Sequence, residues 1–218
     1  MTEISSQERD YLPGMGKHWL LPFYDLLHRV SGLARVHDEM VTLAGLRDGQ
    51  RVLDVGCGTG NLLRATGKRH RNVELTGMDP DLKMLARAEG KIRRAGLKAQ
   101  LDRGFAQELA FPDDSFDVVF SSLMLHHLDS ESKDQMLAQV RRVLRPDGVL
   151  VLADAVLHDH SHLGHRKGAS GKMQEQLHDN VGDAVAKRIA AAGFTVEPTR
   201  LRTLRMFGEV GIEVARVH

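Results

Sequence analysis

Cysteine is nearly absent from this chain. Cys57 is the only one among 218 residues, so no intramolecular disulfide is possible and a reducing compartment is expected. Tryptophan and tyrosine are scarce as well, and Tyr11, Trp19 and Tyr24 all fall near the start. No apolar run approaches the roughly 20 residues of a membrane span. The first residues hold neither the basic stretch nor the apolar stretch of a secretion signal, and a cytoplasmic protein is expected. A formal net charge of +1 gives no argument for a nucleic-acid or anionic-membrane partner. The basic clusters at 91–98 and 141–145 carry apolar residues between their charges, as solvated helix faces do. No internal repeat, low-complexity tract or composition break marks a second domain. What remains is ordinary: 42% hydrophobic and 27% charged residues, in a length that suits one α/β domain.

The informative stretch is 51–60, Arg-Val-Leu-Asp-Val-Gly-Cys-Gly-Thr-Gly. Val52, Leu53 and Val55 form the short apolar run of a strand buried on both faces. The run breaks into Gly56, Gly58 and Gly60, and a helix is expected over 61–67. Strand, glycine turn and helix make a ligand site: the backbone can approach the ligand closely, and the helix N-terminus faces the crevice. A dinucleotide loop reads G-x-G-x-x-G, and a phosphate loop reads G-x-x-x-x-G-K-[ST]. This chain has G-x-G-x-G preceded by Asp54. A carboxylate there repels a pyrophosphate and suits a cationic group, an ammonium or a sulfonium.

The rest of the chain alternates strands and helices. Strands are expected at 73–79, 98–103, 116–121 and 149–153, with helices at 81–95, 131–144 and 181–192. Residues 195–203 and 209–217 are expected to pair as an antiparallel hairpin. Helical spacing over 33–45 places helices before the first strand. Asp79 ends the second strand about 20 residues beyond the glycine loop, where an acid can accept hydrogen bonds from ribose hydroxyls; its alternative reading is a helix cap.

The stretch 51–60 resembles motif I of the class I S-adenosylmethionine-dependent methyltransferases, an apolar strand followed by D-x-G-x-G-x-G. The segment 111–119, F-P-D-D-S-F-D-V-V, and the turn 144–150, L-R-P-D-G-V-L, resemble two further blocks of that superfamily. The likeness covers roughly 50–193. It is nearest to the small-molecule branch that includes the ubiquinone/menaquinone biosynthesis C-methyltransferases, to which Tyr24-Asp25-Leu26-Leu27 and Ser31-Gly32-Leu33 add modestly. The resemblance implies a doubly wound α/β fold with a mostly parallel seven-stranded sheet, an antiparallel edge hairpin and an N-terminal helical cap. It implies a cap over 1–45 and one methyltransferase domain over 46–218. It also implies S-adenosylmethionine as cofactor and S-adenosylhomocysteine as product. The cofactor residues it points to are Asp54, Gly56, Cys57, Gly58, Gly60, Asp79, Pro80, Phe105, Ala106 and Ser121. Phe105 is a departure, because the family carries an Asp there that accepts from the adenine amino group. Here the ring is expected to stack on or wall the adenine, with backbone groups of Phe105 and Ala106 replacing that contact.

Methyl transfer by in-line attack asks for collinear reactants in a dry pocket, with no metal and no covalent intermediate. A base is needed only where the acceptor must lose a proton near pH 7. His126 and His127, following the fourth strand, are the candidates; their alternative reading is packing and capping. Tyr11, His18, Trp19 and Tyr24 are candidates for the substrate pocket. His158, His160, His162, His165 and His178 lie in a Gly/Ser/His-rich connection without metal-ligand spacing, so no metal is expected and a polar lid is. The expected partner is a small-molecule acceptor, and a homodimer is open. Three rivals stand beside this reading: a protein or nucleic-acid methyltransferase, a regulatory protein that binds S-adenosylmethionine without turnover, and a nicotinamide oxidoreductase.

Overall fold

The computed structural model describes residues 31–157, 180–204 and 208–217. Five α-helices are described: α1 (Leu33–Leu43), α2 (Asn61–Arg69), α3 (Leu82–Arg94), α4 (Ser130–Val143) and α5 (Ala184–Ala191). The strands are β1 (Arg51–Val55), β2 (Glu74–Asp79), β3 (Gln100–Arg103), β4 (Phe116–Ser122), β5 (Leu144–Ala155), β6 (Thr195–Val196), β7 (Arg200–Leu204) and β8 (Gly208–Arg216). They form one sheet in the order β3-β2-β1-β4-β5-β8-β6, with β7 also paired to β8.

The first five strands are parallel, and β8 runs antiparallel to β5. β6 and β7 follow one another along the free edge of β8, pairing with its last and its first residues respectively. Eight strands therefore occupy seven positions. The order reverses between β1 and β4, and in open α/β sheets ligands sit in the crevice at that switch point.

Both faces of the sheet are covered, and alternation along the strands divides the core in two. Val52, Val118, Phe120 and Val151 pack with Met40 of α1, Leu62 and Leu63 of α2, and Ile92 of α3. Leu53, Val55, Val119 and Leu150 pack with Met136 and Val140 of α4 and Ile189 of α5. This is why β1 reads as an unbroken apolar run in which neither face is free for water.

Two element boundaries are corrected, and the hairpin is as expected. The fifth strand begins at Leu144, because Leu144 already pairs with Phe116 ahead of a register shift, and the turn at Asp147 (φ 62) is absorbed within it. The expected antiparallel edge hairpin is present, with β7 outermost and β8 paired to β5 on its inner side. Val210, Ile212 and Val214 are buried on one face and Ala215 on the other, so β8 can take a neighbour on each side. The last helix starts at Ala184 rather than 181, since Gly182 (φ 60) still belongs to a turn.

Candidate active site

The glycine loop is locked to the end of β2. The amides of Gly56 and Cys57 both donate to the Met78 carbonyl, at 2.8 and 2.9 Å, and Gly60 N–H donates to the Cys57 carbonyl. Gly60 adopts φ 72 where α2 begins. A Cβ there would stand 3.0 Å from Ala88 Cβ and 3.3 Å from Ala88 Cα on α3, so the absent side chain is what lets the two helices close. A Cβ on Gly58 would meet nothing within 4 Å, which leaves open space above the middle of the loop.

Asp79 fastens this loop to the third helix. One carboxylate oxygen accepts from Gly58 N–H at 2.9 Å and the other from Asp81 N–H at 2.9 Å. The helix cap is a different residue, Asp81, whose side chain accepts from Lys83 N–H. Asp79 is buried, and burial holds its carboxyl above the usual range against the pull of those two amides. Two protein bonds leave a carboxylate with unused lone pairs. Pro80, next in the chain, receives Arg103 Nε on its carbonyl at 3.3 Å.

Asp54 stands at the switch point, 2% exposed, and its Oδ2 has no hydrogen-bond partner among the described residues. Burial, reinforced by the charge of Asp79, pushes its carboxyl up to about 8. Ser121, in register with Val55 on the neighbouring strand, is likewise buried with an unpartnered Oγ. Two orphaned polar atoms at adjoining strand ends are costly unless a ligand or water meets them. Cys57 lines the same crevice, and burial raises its thiol so far that it remains neutral. Phe105 is half-buried and Ala106 buried just beyond β3, with the Phe105 carbonyl engaged by Glu108 N–H. Tyr11, His18, Trp19 and Tyr24 lie outside the described residues, as do His158, His160, His162, His165 and His178. No group of metal-ligating residues occurs among the described ones.

Past β4 the chain makes a tight turn over Leu125–His127. The turn abuts the glycine loop, since a Cβ on Gly56 would overlap Met124 Cγ. Within it, His126 Nδ1 lies 2.6 Å from Asp154 Oδ1, and His126 N–H donates to Asp154 Oδ2 at 3.2 Å. Asp154, at the end of β5, is 2% exposed and also receives Ala155 N–H. Burial alone raises its carboxyl, but the nearby His126 and these hydrogen bonds outweigh it and hold Asp154 below the usual range. An ionised Asp154 accepts only, so the His126 proton sits on Nδ1 and the basic lone pair is on Nε2. His127 differs. Burial, followed by the charge of His126, lowers its imidazole to about 4.

One residue of the crevice carried no signal in the sequence. His37 of α1 is 5% exposed, lines the crevice and meets Ser122 Oγ through Nε2 at 3.0 Å. Its place on the apolar face of an amphipathic helix reads as core, and its partner is 85 residues away.

Residues 52–148 match the methyltransferase-domain family profile. Those residues carry a methyltransferase domain, and the relatives that match support a class I S-adenosylmethionine-dependent methyltransferase. It is 32% identical to a ubiquinone/menaquinone biosynthesis C-methyltransferase of Vibrio vulnificus over 70% of this chain and 60% of that protein. It is 35% identical to 27-O-demethylrifamycin SV methyltransferase of Amycolatopsis mediterranei over 56% of this chain and 45% of that one. The chain thus spans about half the length of these curated relatives. Among solved structures, a SAM-dependent methyltransferase from Aquifex aeolicus superposes with a TM-score of 0.65 at 21% identity, over 88% of this chain and 93% of that one. The cofactor of such a methyltransferase is S-adenosylmethionine. The residues present suit it: Asp54 Oδ2 and Ser121 Oγ are buried without hydrogen-bond partners among the described residues, and the space over Gly58 is open.

Proposed function

We propose that this chain transfers a methyl group from S-adenosylmethionine to a small molecule bearing an O–H that must be deprotonated, with His126 as the base. The observation that carries the base assignment is the buried Asp154 carboxylate 2.6 Å from His126 Nδ1, beside the glycine loop. The names of two relatives point to small-molecule acceptors, a rifamycin precursor and a quinone precursor. When bound, S-adenosylmethionine supplies an electrophilic methyl on a sulfonium.

On this reading Asp54 faces the ammonium of the amino-acid part, where an ionised carboxylate without another partner is worth most. Asp79 offers its unused lone pairs to the ribose hydroxyls while it holds Gly58 in place. Backbone groups of Gly56, Cys57, Gly58 and Gly60 line the amino-acid end, Ser121 Oγ is a further acceptor in the floor, and Pro80, Phe105 and Ala106 wall the adenine. Asp154 fixes the tautomer of His126, so Nε2 is the atom that takes the acceptor's proton. His127, lowered to about 4, is too weak a base at pH 7 and serves as packing under His126, its ring centroid 4.1 Å away.

Calorimetric titration with S-adenosylmethionine and S-adenosylhomocysteine tests the cofactor site. Micromolar binding is expected, weakened in Asp79→Ala by more than about 1 kcal/mol for the lost charge-assisted bonds. A screen of phenolic and enolic acceptors then tests the base: His126→Ala should lower turnover by about 10²–10⁴-fold with S-adenosylhomocysteine affinity unchanged. Wild-type protein that binds neither ligand would sink the reading.

A further inference from the structure

A second cleft, of about 340 Å³, lies between α1 and α2, with the His37 ring and Asn61 as the wall it shares with the crevice. That volume falls within the range of small-molecule pockets. Ala34 on one helix and Ala65 on the other leave the room. The α2 side presents Asn61, Arg64 and Lys68 at helical spacing, one face of the helix turned toward α1. A helix face turned to a neighbouring helix is ordinarily apolar. This one carries cations.

Two of the cations have ordinary explanations. Arg69 ties the helices together, its Nη1 donating to the Asp38 carbonyl at 2.8 Å and to Thr42 Oγ1 at 3.0 Å. Lys68 sits in the last turn, where a positive charge complements the helix dipole. Arg64 has neither explanation. It lies in the first half of α2, where the dipole disfavours a cation, and its Nε is buried without a hydrogen-bond partner among the described residues. A guanidinium N–H withdrawn from water without an acceptor is costly, and its planar fork matches a carboxylate or a phosphate. The Asp38 carboxylate also lines the cleft and works against an anion at its own end. An acid therefore goes to the Arg64 end. At 1.5 Å rise per residue, Arg64 stands only about 4.5 Å along the helix from Asn61, at the shared wall.

We propose that the cleft between α1 and α2 is the anchoring subsite for a carboxylate or phosphate group on the methyl acceptor, with Arg64 as its principal contact and Lys68 beside it. The acceptor would lie along α2, its acidic end on Arg64 and its reacting end past His37 in the crevice. The word acceptor rests on the methyltransferase reading; the acid-binding cleft does not.

The test titrates 4-hydroxybenzoate, 4-hydroxybenzamide and inorganic phosphate into the full chain, with and without saturating S-adenosylhomocysteine. The benzoate is expected to bind alongside S-adenosylhomocysteine, at least about tenfold more tightly than the neutral amide, as a charge-assisted pair predicts. Arg64→Gln should remove that preference, and Arg64→Lys should restore part of it. The exposed Lys187→Gln should change nothing. Unchanged S-adenosylhomocysteine affinity in each variant shows that it is folded. The proposal is overturned if neither acid binds, if acid and amide bind alike, or if acid binding survives Arg64→Gln. Binding of phosphate without the benzoate would mark a bare-ion site and overturn it too, as would exclusion of the benzoate by S-adenosylhomocysteine. Should the wild type fail to bind S-adenosylhomocysteine, the methyl-donor reading falls while the benzoate titration still decides the cleft.

Discussion

On the reading proposed above, Asp154 acts on chemistry only through its neighbour. Its carboxylate holds Nδ1 of His126 and the backbone amides of His126 and Ala155, so it orients the ring and keeps the proton on Nδ1. Asp154→Asn preserves the shape but offers an amide that can donate to Nδ1 and move that proton to Nε2. Turnover should then fall by about 10²-fold or more, while S-adenosylhomocysteine affinity stays within about twofold, well under the tenfold that 1.4 kcal/mol represents. A second readout separates positioning from mere structure. Loss of orientation should fall on kcat, with the KM for S-adenosylmethionine unchanged. A variant that loses rate and ligand affinity together would make Asp154 a structural residue. His126 was legible in the sequence as a titratable group after β4. Asp154 was not, because 28 residues separate the pair and only the parallel register of β4 and β5 brings them together.

At the level of elements, the two glycines of the loop do separable work. Gly60 has φ 72 and no room for a Cβ against Ala88. Gly60→Ala should therefore destabilise the fold by about 2 kcal/mol, from the left-handed backbone and the forced separation of α2 and α3. Gly58 has φ 52 with open space above it, so Gly58→Ala should cost about 1 kcal/mol in stability but place a methyl in the space proposed for the cofactor. Denaturant unfolding and S-adenosylhomocysteine titration on both variants check this. Equal losses of affinity at equal stability would contradict the division. The parallel half of the sheet was readable because its signals are local: an apolar run, a glycine turn, an acid at the strand end. The place of β8 was not readable. Strand order in the antiparallel half is decided by which faces find cover, and the alternation of Val210, Ile212 and Val214 states only that one face is buried. His37 was missed for the same reason, since its role depends on the packing of α1 over the end of β4.

For the molecule as a whole, the buried acids at the switch point set how stability responds to pH. Asp54 is raised to about 8 when folded, against roughly 3.9 in an unfolded chain. Between those values the native state holds a proton that the unfolded chain has released, so stability falls as pH rises and levels off above about 8. Asp79 and Glu213, also raised by burial, act with the same sign. His127 opposes them. It is lowered to about 4, against about 6.5 unfolded, so its contribution grows as pH rises through that interval and is complete by about 6.5. The opposing terms overlap at acid pH and separate between about 6.5 and 8, where Asp54 dominates. Without ligand, the melting temperature should fall there by up to about 5 °C per pH unit, from ~1.4 kcal/mol per proton and 2–4 °C per kcal/mol for a chain of this size. Asp54→Asn should flatten the fall. On the proposed placement of the ligand ammonium beside Asp54, saturating S-adenosylhomocysteine should flatten it as well by keeping the carboxylate ionised, and stabilisation by the ligand should accordingly grow with pH. A slope that persists in Asp54→Asn would place the titrating proton elsewhere. A slope indifferent to S-adenosylhomocysteine, in protein that binds it, would remove Asp54 from the ligand contact and leave its unpartnered oxygen to water.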